Sequence, residues 1–132
     1  MIKLILVSHG SFAAGIRESA EMILGEQEDL KVFGVFPGDT VEDFASKVEK
    51  AVLNFGDPEN TLILADLIGG TPCNTAVMMA LKHHVKVLSG LNLPMLIEVL
   101  SLRDEVSADE LVKEAANVGK EGIISADDLI SA

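Results

Sequence analysis

Short apolar runs alternate along the whole chain with longer segments whose apolar residues recur every three or four positions. Ile2 to Val7, Leu30 to Phe36, Thr61 to Ala65 and Val85 to Leu88 are nearly continuous apolar runs rich in β-branched residues, the pattern of strands buried on both faces of a parallel sheet. Between them the spacing is helical. Phe12 to Leu24 puts Phe12, Ile16, Ala20 and Ile23 on one face and stops at Gly25. Val41, Phe44, Val48, Val52 and Phe55 form a second such stripe, with Asp39 or Thr40 as its cap and Gly56 as its stop. After the third strand, Asp66-Leu67-Ile68-Gly69-Gly70 leads to Thr71-Pro72, residue types favoured at the N-cap and the first helical position. The helix they open turns Cys73, Ala76, Val77, Ala80 and Leu81 toward the sheet. Pro94 to Leu102 is a further helix, and the capping box Ser107-Ala108-Asp109-Glu110 starts a last one running to about Val118.

This alternation predicts an α/β fold: an open, mostly parallel sheet of about four strands in the order 2-1-3-4, with helices on both faces. The tail from Gly122 to Ala132 is ambiguous by pattern. Ile123-Ile124 suits a short antiparallel edge strand, and a strand needing a neighbour can take it from a second subunit. With no linker, repeat or low-complexity stretch, residues 1–132 read as one domain.

Composition narrows the function. The chain is 48% hydrophobic but holds five Phe, no Trp and no Tyr, which argues against recognition by stacking on bases or flavin rings. Ten basic against 21 acidic residues leave a net charge of −11, so nucleic acid is a poor partner. A single cysteine, Cys73, makes no internal disulfide and points to the cytoplasm. The apolar run Leu4 to Val7 is far too short to span a bilayer or serve as a signal peptide. A soluble protein is expected, one still able to dock on a membrane-bound component.

In an open parallel sheet, ligands bind beyond the carboxyl ends of the strands. Three turns there are unusual: His9 after strand one, Asp66 with two glycines and Thr71 after strand three, and Gly90-Leu91-Asn92-Leu93-Pro94 after strand four. The order 2-1-3-4 makes strands one and three neighbours, so His9 and Asp66 face each other. A nucleophilic histidine needs one ring nitrogen free and the other fixed by an acceptor. Asp66 can accept a hydrogen bond from Nδ1–H and leave Nε2 free. No lysine lies in these turns, so a phosphoryl group on Nε2 would be held by backbone N–H groups at the helix start and by the Thr71 hydroxyl. Gly69 and Gly70 permit the close approach. Singly, each feature has a plainer explanation as a turn or cap residue; their convergence at one end of one sheet carries the reading. His83 and His84 point about 100° apart on a helix, and with Cys73 they match no zinc spacing. They are expected to interact with the helix C-terminal dipole, and Cys73 to be buried. No metal and no cofactor is called for.

Ser8-His9-Gly10 followed by Ala14-Gly15, Asp66 followed by Gly69-Gly70-Thr71-Pro72 and Asn74, and Gly90-Leu91-Asn92-Leu93-Pro94-Met95 together resemble the mannose-type enzyme IIA of the bacterial phosphoenolpyruvate:sugar phosphotransferase system. Glu21-Met22-Ile23-Leu24-Gly25 and Phe36-Pro37-Gly38 also fit, so the likeness covers nearly the whole chain. The resemblance implies that His9 is phosphorylated by the phosphocarrier HPr and passes the group to a IIB component, serving the membrane IIC/IID complex indirectly. It implies that Asp66 orients His9, that Gly70 and Thr71 lie at the phosphoryl site, and that the protein is a homodimer exchanging a C-terminal edge strand. The nearest alternative is the IIA-like subunit of phosphotransfer-dependent dihydroxyacetone kinase, whose aspartate turn differs from the Asp-x-x-Gly-Gly-Thr-Pro pattern seen here. A histidine phosphatase would need several arginines, and only Arg17 and Arg103 are present. A metal-binding receiver would need acids where strand one ends Leu6-Val7-Ser8-His9.

Overall fold

A computed structural model describes residues 1–131. Four strands, β1 (Lys3–His9), β2 (Leu30–Val35), β3 (Thr61–Ala65) and β4 (Lys86–Ser89), form one sheet in the order β2-β1-β3-β4, every pairing parallel. The helices are α1 (Phe12–Leu24), α2 (Val41–Phe55), α3 (Gly70–His83), α4 (Leu93–Leu102), α5 (Ala108–Glu121) and the short α6 (Ala126–Ser131). Successive strand residues point to opposite faces, and each face has its own core. Leu4, Leu6, Leu62 and Leu64 meet α1, α4 and α5, while Ile5, Val7, Ile63 and Ala65 meet α2 and α3. All eight are fully buried. At roughly 1.5–3 kcal/mol for each large side chain, the two middle strands anchor the fold.

Helix ends follow their caps. Thr40, Asn92 and Ser107 accept hydrogen bonds from the backbone N–H groups of Asp43, Met95 and Glu110, fixing the starts of α2, α4 and α5. Between them, Thr40 is the residue that settles the Asp39-or-Thr40 choice. At the amino end of the sheet, the buried Arg103 donates to the carbonyls of Ile2, Glu28 and Asp29. Burial holds its pKa below the usual arginine value. This guanidinium ties the ends of β1, β2 and α4 together.

The structure departs from the sequence pattern in several places. β1 continues through Ser8 to His9 instead of ending at Val7, because Gly34 and Val35 of β2 supply pairing partners that far. In α1 the small Ala13 and Ala20 sit against the sheet beside Ile16, which turns Phe12 and Ile23 to the edge of the face, where they are exposed. In α3, packing against α2 as well as the sheet buries Thr75 and Met79 and leaves Val77 and Leu81 exposed. The expected C-terminal edge strand is not formed among the described residues of this single chain: residues 123–125 pair with no strand and Ala126–Ser131 is helical. An isolated strand has no hydrogen-bond partner, so one chain alone gives these residues no reason to extend.

One glycine is dictated by contact. Gly34 lies opposite Ser8 in the β1–β2 register, and a Cβ there would sit 2.0 Å from the Gly10 carbonyl oxygen. Gly10 crosses at this point to donate its N–H to Val35 O at 2.8 Å. Gly34→Ala should therefore force the β1–α1 turn away and lower stability by about 1–3 kcal/mol. A urea midpoint equal to that of the unaltered protein would show that the turn does not press on β2.

Candidate functional site

His9 is the last residue of β1, and Asp66 follows β3 immediately. Because β1 and β3 are paired neighbours, the two side chains meet at the carboxyl edge of the sheet. Asp66 Oδ2 accepts two hydrogen bonds from His9, one from its backbone N–H at 2.9 Å and one from ring Nδ1 at 2.8 Å. Asp66 Oδ1 accepts from the Leu67 N–H at 2.8 Å. Burial raises the Asp66 pKa, but these hydrogen bonds and the neighbouring imidazole together outweigh it and hold the carboxyl below its usual range. An ionised carboxylate can only accept, so Nδ1 must carry the proton. Nε2 of the neutral ring is then the free, nucleophilic nitrogen. The Asp66 side chain is only 10% exposed while that of His9 is 52% exposed: a buried anchor holds an accessible ring.

Nε2 opens onto the start of α3. A Cβ built at Gly70 would lie 3.0 Å from both Cε1 and Nε2 of His9. The Gly70 backbone has φ +77°, a conformation in which a side chain is strained. Thr71 and Pro72 are not N-cap and first residue; Gly69 is the N-cap and Gly70 the first helical residue, with Thr71 next in the first turn. The two glycines adopt positive φ and let the helix begin earlier. No side chain caps this end and no acid lies in its first turn, in contrast to α2 and α5. The first-turn amides of a helix have no acceptor inside it, so the positive end of the α3 dipole faces the ring. The cleft is lined by His9, Phe12, Asp66, Leu67, Ile68, Gly69 and Gly70. It contains no lysine or arginine, and Phe12, Leu67 and Ile68 give it an exposed apolar rim.

Two supporting residues escaped the sequence reading. Ser8 is fully buried, and its hydroxyl accepts the Ala13 N–H at 2.8 Å, so β1 itself caps α1 and fixes the turn behind His9. Gly34 holds that turn from the other side. A lone glycine inside a strand pattern marks such a close backbone approach, and that signal was available. The remaining candidates fall outside the cleft. Cys73 is buried, as expected. His83 lies in the last turn of α3, where its Nε2 also pairs with Glu49 Oε2 at 2.7 Å, and Lys82 reaches the same oxygen. Arg17 pairs with Glu21, and Arg103 lies at the far end of the sheet, so no arginine clamp exists here.

The chain is similar to known proteins in both sequence and fold. The family model for the PTS system fructose IIA component, EIIA-man, matches residues 3–116. The chain belongs to this family. It is 36% identical over 124 residues to the mannose-specific EIIAB component of Escherichia coli (strain K12), covering 92% of the chain but 38% of that longer protein. It is 34% identical over 113 residues to the fructose-specific EIIA component of Bacillus subtilis (strain 168), covering 85% of the chain and 77% of that protein. Its fold matches the crystal structure of a phosphotransferase system component EIIA from Streptococcus agalactiae with a TM-score of 0.90 at 36% identity, over 97% of this chain and 99% of that one. The protein is thus a mannose-family IIA component of the sugar phosphotransferase system. No helix among the described residues is long and apolar enough to cross a membrane.

Proposed function

We propose that His9 carries the phosphoryl group, accepting it on Nε2 from the phosphohistidine of HPr and passing it to a IIB component. The supporting observation is the doubly bonded Asp66 carboxylate at 2.8 Å from Nδ1, with Nε2 facing the open start of α3. In the step, the Nε2 lone pair attacks phosphorus as the P–N bond to the donor imidazole breaks, and that donor ring leaves neutral. The Nδ1 proton stays in place, so the phosphorylated ring is an imidazolium whose positive charge Asp66 balances. Backbone N–H groups at Gly70 and Thr71, with the Thr71 hydroxyl, receive the phosphoryl oxygens. Onward transfer is the same step reversed onto IIB. Binding both protein partners in turn suits the exposed apolar rim of Phe12, Leu67 and Ile68.

In this reading the chain is a single cytoplasmic IIA domain over residues 1–132, coupled to the membrane IIC/IID complex only through IIB. It is a homodimer in which Gly122 to Ser125 extends along a partner subunit, a role in keeping with the exposed Ile123 and Ile124. The mannose, fructose and sorbose relatives favour this over the dihydroxyacetone kinase subunit. The test is labelling with phosphorylated HPr followed by phosphosite mapping and by transfer to purified IIB or, as the competing acceptor, the dihydroxyacetone kinase subunit.

Gly70 offers a steric check on the same geometry. Gly70→Ala should slow phosphoryl acceptance about tenfold, since its methyl group must displace the ring or strain the backbone by about 1–2 kcal/mol. Acceptance at the full rate would mean that Nε2 is approached from a direction that does not pass Gly70.

A further inference from the structure

A second feature stands apart from the His9 cleft. In a chain of net charge −11 with only ten basic side chains, Lys31, Lys47 and Lys50 line one groove of about 470 Å³ together with Phe33 and Phe55. Of the other seven, Lys3, Arg17, Lys82 and Lys86 are each paired with a carboxylate, Arg103 is buried among carbonyls, and Lys113 and Lys120 stand on α5, away from the groove. None of the three groove lysines forms an ion pair among the described residues, and all three are exposed. Lys47 and Lys50 are three apart on α2 and share a face; Lys31 and Phe33 are two apart on β2 and share the face that α2 covers. Concentrating unpaired cations beside half-buried aromatic rings is costly in self-repulsion unless an anion answers them.

The groove also runs along an open sheet edge, since β2 pairs with β1 alone. Asp29 O accepts from Leu4 N and Val35 O from Gly10 N, so the odd-numbered residues of β2 turn their backbone groups to β1. In a parallel pairing the even-numbered ones then turn theirs outward. Unspent N–H and C=O groups of Leu30, Val32 and Gly34 therefore face the same open side that the groove flanks. Lysine on an edge strand discourages unwanted pairing. That explains Lys31 but not Lys47 and Lys50, which belong to a helix.

We infer that the β2 edge is a docking site for an extended acidic segment of a partner protein. The segment adds as a strand to Leu30, Val32 and Gly34, and its carboxylates, presented on the face that Lys31 occupies, meet Lys31, Lys47 and Lys50. Lys31 precedes Val35, the partner of His9 in the register, by four residues, or about 13 Å along the strand. Both sites can therefore be occupied at once.

The test uses the full chain and an end-blocked, fluorescently labelled peptide of five Glu-Val repeats, with Gln-Val repeats, ATP and pyrophosphate as comparison probes. Binding of the Glu-Val peptide is expected to weaken at least tenfold in the variant carrying Lys31→Gln, Lys47→Gln and Lys50→Gln, and to fall with added salt. The melting temperature of that variant reports that it folds. Amide exchange at Val32 and Gly34 is expected to slow when the peptide is bound. Equal binding of the Gln-Val peptide, binding unaffected by the triple substitution, or binding without protection of β2 would overturn the proposal. So would displacement of the peptide by ATP or pyrophosphate at comparable concentration, which would make the groove a small-anion site.

Discussion

His9→Ala is expected to abolish acceptance of phosphate from HPr while leaving the protein folded. The ring is half exposed, so little packing is lost with it, and β1 is held through its buried residues and the Ser8 contact to Ala13. His9→Gln is the sharper variant. Its side-chain amide can still donate to Asp66, preserving the local hydrogen bonding, but it has no nucleophilic nitrogen. Both should show no gain of a phosphoryl group by intact mass after incubation with phosphorylated HPr, against complete conversion of the unaltered chain. Label persisting in either variant, for example on His83 or His84, would falsify the assignment of His9. Loss of label together with loss of the cooperative melt in the alanine variant alone would leave the glutamine variant to decide.

The carboxyl-end geometry was largely legible in the sequence because each strand length is set by an apolar run and each helix by a stripe and a stop. Phe12 to Leu24, Val41 to Phe55 and Thr61 to Ala65 have the boundaries that their patterns predict. Once β1 and β3 are neighbours, His9 and Asp66 must meet. What periodicity could not supply is contact that depends on three-dimensional crowding. Thr71-Pro72 is a good local start signal, yet α3 begins at Gly70, since positive φ at two glycines lets the first turn form beside the His9 ring. Gly34 lies inside an apolar strand run, and only the fold brings the Gly10 carbonyl against it. Ser8 reads as part of a polar turn until its hydroxyl is found capping α1. The tail differs for another reason: Ile123-Ile124 has strand composition, but pairing is a property of neighbours, and a single chain offers it none.

Asp66→Asn is expected to slow phosphoryl acceptance by HPr about 100-fold, equivalent to roughly 2.7 kcal/mol of barrier. Two effects add. The amide can donate to Nδ1 as well as accept from it, so the ring is free to move its proton to Nε2, where it blocks attack. The variant also removes the negative charge 2.8 Å from the ring that balances the phosphoimidazolium. The same substitution should change the acid limb of the stability curve. Asp66 is held below the ordinary aspartate value of about 3.9, so its ionised form favours the folded state. That contribution is fully present above pH of about 4 and is lost as the pH falls through the depressed folded value. The unaltered protein should therefore lose an increment of stability in acid that Asp66→Asn lacks, and the two urea midpoints should converge as the pH is lowered below about 4. The split matters: a purely structural aspartate would alter the acid limb yet leave the rate of phosphoryl acceptance at neutral pH unchanged, whereas an aspartate that sets the tautomer must move both.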